Sequence, residues 1–293
     1  MSEWIKLDRA SLPEPHEPLW HELESAKSEA PFMRDSFYLL QEACQWTIAV
    51  SCLHPADPTN RNQAILRGLT VRLSKLARLT VRELASKEVF QQLGLSRSVL
   101  ETIATITYLL QDEGDGNRYD RYVMNSLVAE RELLLNIQSN IAERGGESWD
   151  IEERMKRSIA STAKAGGVED VTSLPGRKQI GYPNAEARVR LLGESAYGMY
   201  RMGSTEIHGD WTDLYRNHLT YNGSQFACRH DEYEVRPQVP LAIAGLIIRV
   251  VGGGLSQITG IPDASDFFGP YFRNLDDRIV RTDGLHERLL SEQ

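Results

Sequence analysis

The sequence predicts an all-α fold, a single multi-helix bundle of about seven to nine helices with little or no β structure. Three observations carry that expectation. Apolar residues recur at intervals of three and four through most of the chain, the period of a helix with one face inward. Strand-like character is confined to GSQFACRHDEYEVRPQ, residues 223 to 238, and strands do not alternate with crossover helices. The composition, 41% hydrophobic and 25% charged over 293 residues, is that of a globular chain long enough to bury a sizeable core.

The bulk numbers also narrow the function classes. A net charge of -8 at pH 7 argues against a surface that coats nucleic acid broadly, and leaves room only for a local basic site. Three cysteines, Cys44, Cys52 and Cys228, are too few for a disulfide framework and point to a reducing, cytoplasmic setting. The first residues lack a basic start followed by an apolar run, so no secretory leader is expected. Val239 to Val251, the most apolar stretch, contains Arg249 and falls short of the ~20 residues of a spanning helix. It reads as a buried core helix, and no membrane partner is expected.

Taken in order, residues 1–18 carry Pro13, Pro15 and Pro18, which fix φ and remove backbone donors, so they are expected as an extended arm. Residues 19–293 are expected as one helical domain. Pro31 suits the first turn of a helix running to about Leu53, with Phe32, Phe37, Leu40, Cys44, Ile48 and Cys52 packing on its apolar face. HPADPTN, from His54 to Asn60, is a loop. From Arg61 to about Phe90, Leu66, Leu69, Leu73 and Leu76 define a long helix, and Arg67, Arg72, Lys75, Arg78 and Arg82 read as its solvated face. After Gly94 comes a helix carrying Leu95, Val99, Leu100, Ile103, Ile106 and Leu110, on which Arg97 and Glu101 stand four apart and can pair.

EGDGN, from Glu113 to Asn117, is a turn, followed by helices from Tyr119 to about Arg144 and from Ile151 to Ala165. Gly166 to Pro183 lacks periodicity and is a connector. The apolar helix beginning at Pro240 meets Gly252, Gly253 and Gly254, which end it or let another helix approach closely. Without a Lys nearby these glycines are no phosphate cradle. The last thirty residues, from Asp263, are helical in parts.

Asn184 to Trp211 is the stretch with the clearest two-faced character. On one helix, Val189, Leu192, Ala196, Met199, Gly203 and Ile207 fall on a core side, and Arg190, Glu194, Tyr197, Arg201, Ser204 and His208 form a polar stripe roughly opposite. No Cys-x-x-Cys, His-Glu-x-x-His or acidic calcium loop is present, so neither metal nor other cofactor is expected. Gly-x-Ser-x-Gly is missing too. An Arg and a His on one face are suited to phosphate chemistry. The imidazole can move a proton at a ribose hydroxyl while the guanidinium stabilises phosphate charge.

Arg201, six intervening residues and His208 match the loose Arg-x(4 to 6)-His pattern of the HEPN superfamily of helical domains, many of them metal-independent endoribonucleases. Arg9 to His16 and Arg281 to His286 fit the same spacing, but only the middle pair lies on a convincing helix. Met202 stands where the superfamily prefers a polar residue. A second resemblance covers roughly Leu93 to Leu219. LGLSRSVLETIATITYLLQD, with Arg97 and Glu101, and AYGMYRMGSTEIHGDW, with Tyr197, Ser204, His208 and Gly209, resemble the bacterial family catalogued as domain of unknown function 5677. That resemblance implies that Arg97, Glu101, Ser204 and His208 share one buried polar site.

The leading expectation is therefore a HEPN-like ribonuclease of toxin or phage-defence type, acting on RNA as an isologous homodimer. His208 and Arg201 are its catalytic candidates, with Arg97, Glu101, Ser204 and Tyr197 as a supporting polar network. The alternative is a non-catalytic helical module that binds a protein or nucleotide partner in a regulatory or defence role. Tyr197, Tyr200 and Trp211 read as interhelical packing residues.

Overall fold

A computed structural model describes residues 12–53, 60–86, 92–114, 116–230 and 235–292. Residues 1–11 of the expected arm, 54–59 of the expected loop, the helix end at 87–90, Asp115 of the expected turn and 231–234 of the strand-like stretch lie outside them. The α-helices are α1 (Trp20–Glu24), α2 (Ala30–Ser51), α3 (Arg61–Ser86), α4 (Gln92–Leu110), α5 (Asn117–Glu143), α6 (Asp150–Ala165), α7 (Arg177–Ile180), α8 (Ala185–Val189), α9 (Glu194–His208), α10 (Trp211–Asp213), α11 (Gln238–Gly253), α12 (Leu255–Thr259) and α13 (Ala264–Ser291). One antiparallel ribbon, β1 (Leu219–Tyr221) with β2 (Phe226–Cys228), pairs Thr220 with Ala227.

The fold class is all-α, as expected, but the expected seven to nine helices are too few. Long helices such as α3 and α13 declare themselves by period. The four-residue α7, inside the expected connector, is too short for a periodic signal and was not anticipated. The described chain falls into two compact units, Met1–Leu110 with Ala185–Gln293, and Gln111–Asn184.

In the first unit α2 is the central helix, packed by α3, α11 and α13. Trp46 is fully buried on it and meets Phe268, Tyr271 and Phe272 of α13, with ring centroids 6.2, 5.2 and 5.5 Å away. Encirclement shifts the buried face from the one expected. Phe32, Leu40 and Cys44 are buried, whereas Ile48 and Cys52 are exposed. Burial pushes the Cys44 thiol up to about 11, which makes it a packing group rather than a nucleophile.

Charges are also buried there. Arg278 of α13 grips Glu42 of α2 through two bonds of 2.7 Å, and donates to the carbonyl of His16. The His16 imidazole in turn lies 3.1 Å from the buried Asp35 carboxylate. This cluster ties the visible end of the arm to the helices. The basic side of α3 is not simply solvated. Arg67 donates to the Ile258 and Thr259 carbonyls, closing the end of α12, and Arg72 donates to Thr102 at 3.2 Å.

In the second unit, Leu127 and Ile137 of α5 and Ile159 and Ala163 of α6 form a separate core. The expected connector closes it with Val171 and Leu174. Arg131 donates to the Leu174 carbonyl and pins that segment. Asp112 accepts from the backbone amides of Gly114, Gly116 and Arg118 at the start of α5. Partial burial opposes its charge, but these amides hold its carboxyl below the ordinary value.

Candidate functional site

The stretch expected as one helix from Asn184 to Trp211 is broken in the structure. α8 passes through a 3-10 turn at Arg190–Leu192 to Gly193, whose φ of +98° no L side chain adopts readily, and α9 starts afresh at Glu194. The core side survives the break. Val189 and Ala196 are buried in a cluster with Leu100 and Ala104 of α4 and with Tyr200. Ile207, expected on that side, is exposed.

α4 and α9 run antiparallel. A Cβ on Gly94 would lie 3.4 Å from Ile207, while Arg97 faces Tyr200. Between the helices Arg97 donates through Nε to Glu101 at 3.0 Å and through Nη2 to the Tyr200 hydroxyl at 3.2 Å. Its guanidinium carbon lies 4.8 Å from the centre of the Tyr200 ring. Burial, then the Glu101 charge, raises the Tyr200 phenol above its ordinary value. The Arg97–Glu101 pair thus forms as the spacing predicts, and its partner across the interface is Tyr200.

Ser204 and His208 do not join that network. Ser204 donates back to the Tyr200 carbonyl at 3.1 Å, a common use of a hydroxyl within a helix. Tyr197 donates to Glu186 of α8 at 2.7 Å, with Arg190 stacked 3.6 Å from its ring centre. Tyr197 first and Arg190 second hold the Glu186 carboxyl low. Arg201 is exposed, and its charge adds to the field at Glu186. His208 is the exposed last residue of α9, followed by Gly209 at φ +58°.

The other two Arg-to-His spacings are separated by their surroundings. His16 is engaged with Asp35, and Arg9 lies outside the described residues. His286 is fully buried against Phe32, its ring centroid 5.1 Å away. Of the three pairs, it is Arg201 and His208 that stand, among the described residues, exposed together on one helix.

Past α9 the chain makes a feature that helical pattern reading missed. Asp210 accepts from the Asp213 amide and starts α10, a π-turn covers Leu214–His218, and the β1–β2 ribbon follows. Trp211, read as a packing residue, is 60% exposed, and Tyr215, Tyr221 and Phe226 are exposed beside it. The strand-like alternation at Phe226–Cys228 was the available signal. Among the described residues no cluster of His, Cys, Asp and Glu is arranged to hold a metal ion, and no helix is long and apolar enough to cross a membrane.

Residues 63–225 match a family described as a family of unknown function, DUF5677. The match begins in α3, about thirty residues before the start of the stretch expected from the resemblance, and runs through β1 into the turn before β2. No curated protein and no solved structure matches the chain.

Proposed function

We propose that this chain, which belongs to the DUF5677 family of unknown function, is a HEPN-like, metal-independent endoribonuclease. His208 is its general acid and base, and Arg201 binds the scissile phosphate. One observation carries the reading. Both residues are exposed on α9, seven positions and so about two turns apart, and no hydrogen bond or ion pair among the described residues holds either. An arginine already paired with a carboxylate, or a buried histidine, would first have to be released.

The chemistry is proton transfer at a phosphodiester. His208 takes the proton of a ribose 2′-hydroxyl, the 2′-oxygen attacks phosphorus, and the 5′-oxygen of the next nucleotide leaves and is protonated. The products are a 2′,3′-cyclic phosphate and a 5′-hydroxyl. Arg201 offers a planar fork of donors to the phosphate as charge builds. Arg97, Glu101 and Tyr197 act as positioning residues, because they fix α9 against α4 and α8, and Ser204 braces the helix between the two catalytic groups. Seven helical steps from Arg201 to His208 place them about 10 Å apart along the axis. We therefore place the reaction in the cleft of an isologous homodimer, where two such faces meet. Cleavage of cellular or invading RNA suits a toxin or phage-defence role.

Purified wild type and His208→Ala, incubated with mixed RNA in chelator, test the reading. Wild type should leave cyclic-phosphate and 5′-hydroxyl ends, and His208→Ala should lose at least about a hundredfold in rate. Equal cleavage by the two proteins, or none by the wild type at high enzyme excess, would sink it. The second reading, a non-catalytic module for a protein partner, is favoured by exposed Met202 and Ile207 beside the two candidates.

A further inference from the structure

We propose that the exposed basic stripe of α3, Arg72, Lys75, Arg78 and Arg82, binds the phosphate backbone of RNA and holds the strand beside α9. The proposal rests on RNA being the substrate of the Arg201–His208 site, and it assigns a second, non-catalytic contact for the same molecule.

Residues 61–90 carry seven Lys and Arg against two Glu, a net of +5 in a chain whose total is -8. The helix sorts these charges. Leu66, Leu69, Leu73 and Ala77 are buried on one side of α3, and Arg72, Lys75, Arg78 and Arg82 are exposed on the other. Arg67 is engaged with the carbonyls of α12 and does not belong to the stripe. From Arg72 to Arg82 the four cations cover ten helical steps, about 15 Å.

Among the described residues no ion pair holds Lys75, Arg78 or Arg82, and Arg72 donates to the Thr102 hydroxyl. The helices packed on α3 bring no open carboxylate to the stripe. On α2 the acids Asp35 and Glu42 are buried and bonded to Arg34 and Arg278, on α4 Glu101 is held by Arg97, and α12 has no acid. Glu83, the acid of α3 itself, is half-buried.

A face that served solubility alone would interleave signs, as this chain does at Glu153–Lys156 on α6 and at Glu186–Arg190–Glu194. On α3 the neighbours at three and four residues, Arg72–Lys75, Lys75–Arg78 and Arg78–Arg82, are like charges that weaken the helix. A polyanion relieves that repulsion. Three of the four are arginines, whose planar forks fit phosphate oxygens. α3 contains no aromatic residue to stack on bases, so the contact positions a strand without sequence preference. A protein partner fits less well, because the core of an interface is depleted of charge and rich in aromatic rings.

The stripe and α9 border one solvent face. α4 packs against both α3 and α9, and Arg97 and Glu101 on its open edge keep 21% and 35% of their side chains in solvent. Arg72 reaches α4 from α3 at Thr102, next to Glu101, and Tyr200, next to Arg201, meets Arg97 from α9. Two interaxial distances of 8–10 Å put α9 at most about 20 Å from α3, within reach of a few nucleotides.

The test uses the full chain carrying His208→Ala, which leaves RNA uncut, in chelator. A short fluorescein-labelled mixed-sequence RNA is read by anisotropy between about 50 and 200 mM salt. Lys75→Gln with Arg78→Gln and Arg82→Gln should weaken binding by about tenfold or more and lower the slope of log affinity against log salt by about 2. Arg72 is kept because it ties α3 to α4. Arg154→Gln with Arg157→Gln and Lys164→Gln, exposed on α6, makes the same change in net charge and should leave affinity within about twofold. Far-UV circular dichroism confirms the fold of each variant. Unchanged binding by the α3 variant, an equal loss in the α6 variant, or no binding of RNA overturns the proposal. So does displacement of the RNA by poly-glutamate as readily as by unlabelled RNA of equal charge, which would assign the stripe to an acidic protein. Lost binding in the α3 variant, with no cleavage by wild type, upholds the stripe and sinks only the nuclease. Cleavage by wild type that the α3 substitutions leave unchanged at low RNA concentration sinks the stripe alone.

Discussion

Arg97 donates to the hydroxyl of Tyr200 at 3.2 Å while its guanidinium lies 4.8 Å from the centre of the same ring. One side chain of α4 thus engages both the polar tip and the apolar face of one side chain of α9, and Glu101 holds the guanidinium at 3.0 Å. The ion pair itself is worth little, since Arg97 and Glu101 keep 21% and 35% of their side-chain surface in solvent. The buried phenol is the group that makes the contact an interhelical tie.

Tyr200→Phe keeps the ring and removes only the hydroxyl, and should cost about 1 kcal/mol in denaturant titrations. Tyr200→Ala, which empties part of the cluster with Leu100 and Ala104, should cost about 3 kcal/mol or more. Burial first and Glu101 second raise the phenol in the folded protein. Its contribution is therefore complete below the unfolded value of about 10 and is lost as pH rises through the higher folded value. The gap between wild type and Tyr200→Phe should shrink between neutral pH and about pH 11. A gap that is constant or widens would mean that the phenol is not the group that titrates.

The pairing of Arg97 with Glu101 was legible because both lie on one helix at a spacing that geometry dictates. That α4 lies near α9 followed only from the family resemblance, and Tyr200 was read as an interhelical packing residue, which it is, without its hydrogen bond to Arg97. A tyrosine at the edge of a core stripe has its ring inside and its oxygen at the rim, and a two-letter hydrophobic pattern reads only the ring. The break at Gly193 was hidden because Val189 and Ala196, on either side, stay in phase with one face. Asp35 and Glu42 carried no sequence mark of burial at all. Glu42 is satisfied by Arg278, 236 residues away, and Asp35 by a histidine from a proline-rich arm.

That buried Glu42–Arg278 pair leads to a second expectation. Glu42→Leu leaves the Arg278 guanidinium, 6% exposed, without its carboxylate and should destabilise by about 3–5 kcal/mol. The double change Glu42→Leu with Arg278→Met removes both charges and should recover a large part of that loss. It should not recover everything, because the His16 amide donates to Glu42 and the His16 carbonyl accepts from Arg278. About 1–2 kcal/mol should remain missing for those two backbone groups. Urea titrations of the three variants give the coupling directly, and a double variant no more stable than Glu42→Leu would refute it.

The glycines at the end of α11 separate two effects that sequence reading left as alternatives. A Cβ on Gly252 would sit 2.9 Å from Cδ1 and 3.2 Å from Cβ of Phe272 in α13, a ring wedged beside Trp46 and unable to swing aside. On Gly253 a Cβ would meet nothing within 4 Å. Both positions are helical, so replacing either by Ala gains about 0.5–1 kcal/mol of helix preference. At Gly253 that gain stands alone, and Gly253→Ala should raise stability by about that amount. At Gly252 the forced shift of α11 from α13 costs about 1–3 kcal/mol, so the net effect of Gly252→Ala should be a loss. The opposite signs are the decisive result, readable as thermal midpoints moving in opposite directions for two neighbouring, chemically identical changes. A rise at both positions would mean that Phe272 yields more easily than its neighbours suggest, and that Gly252 is there to end the helix.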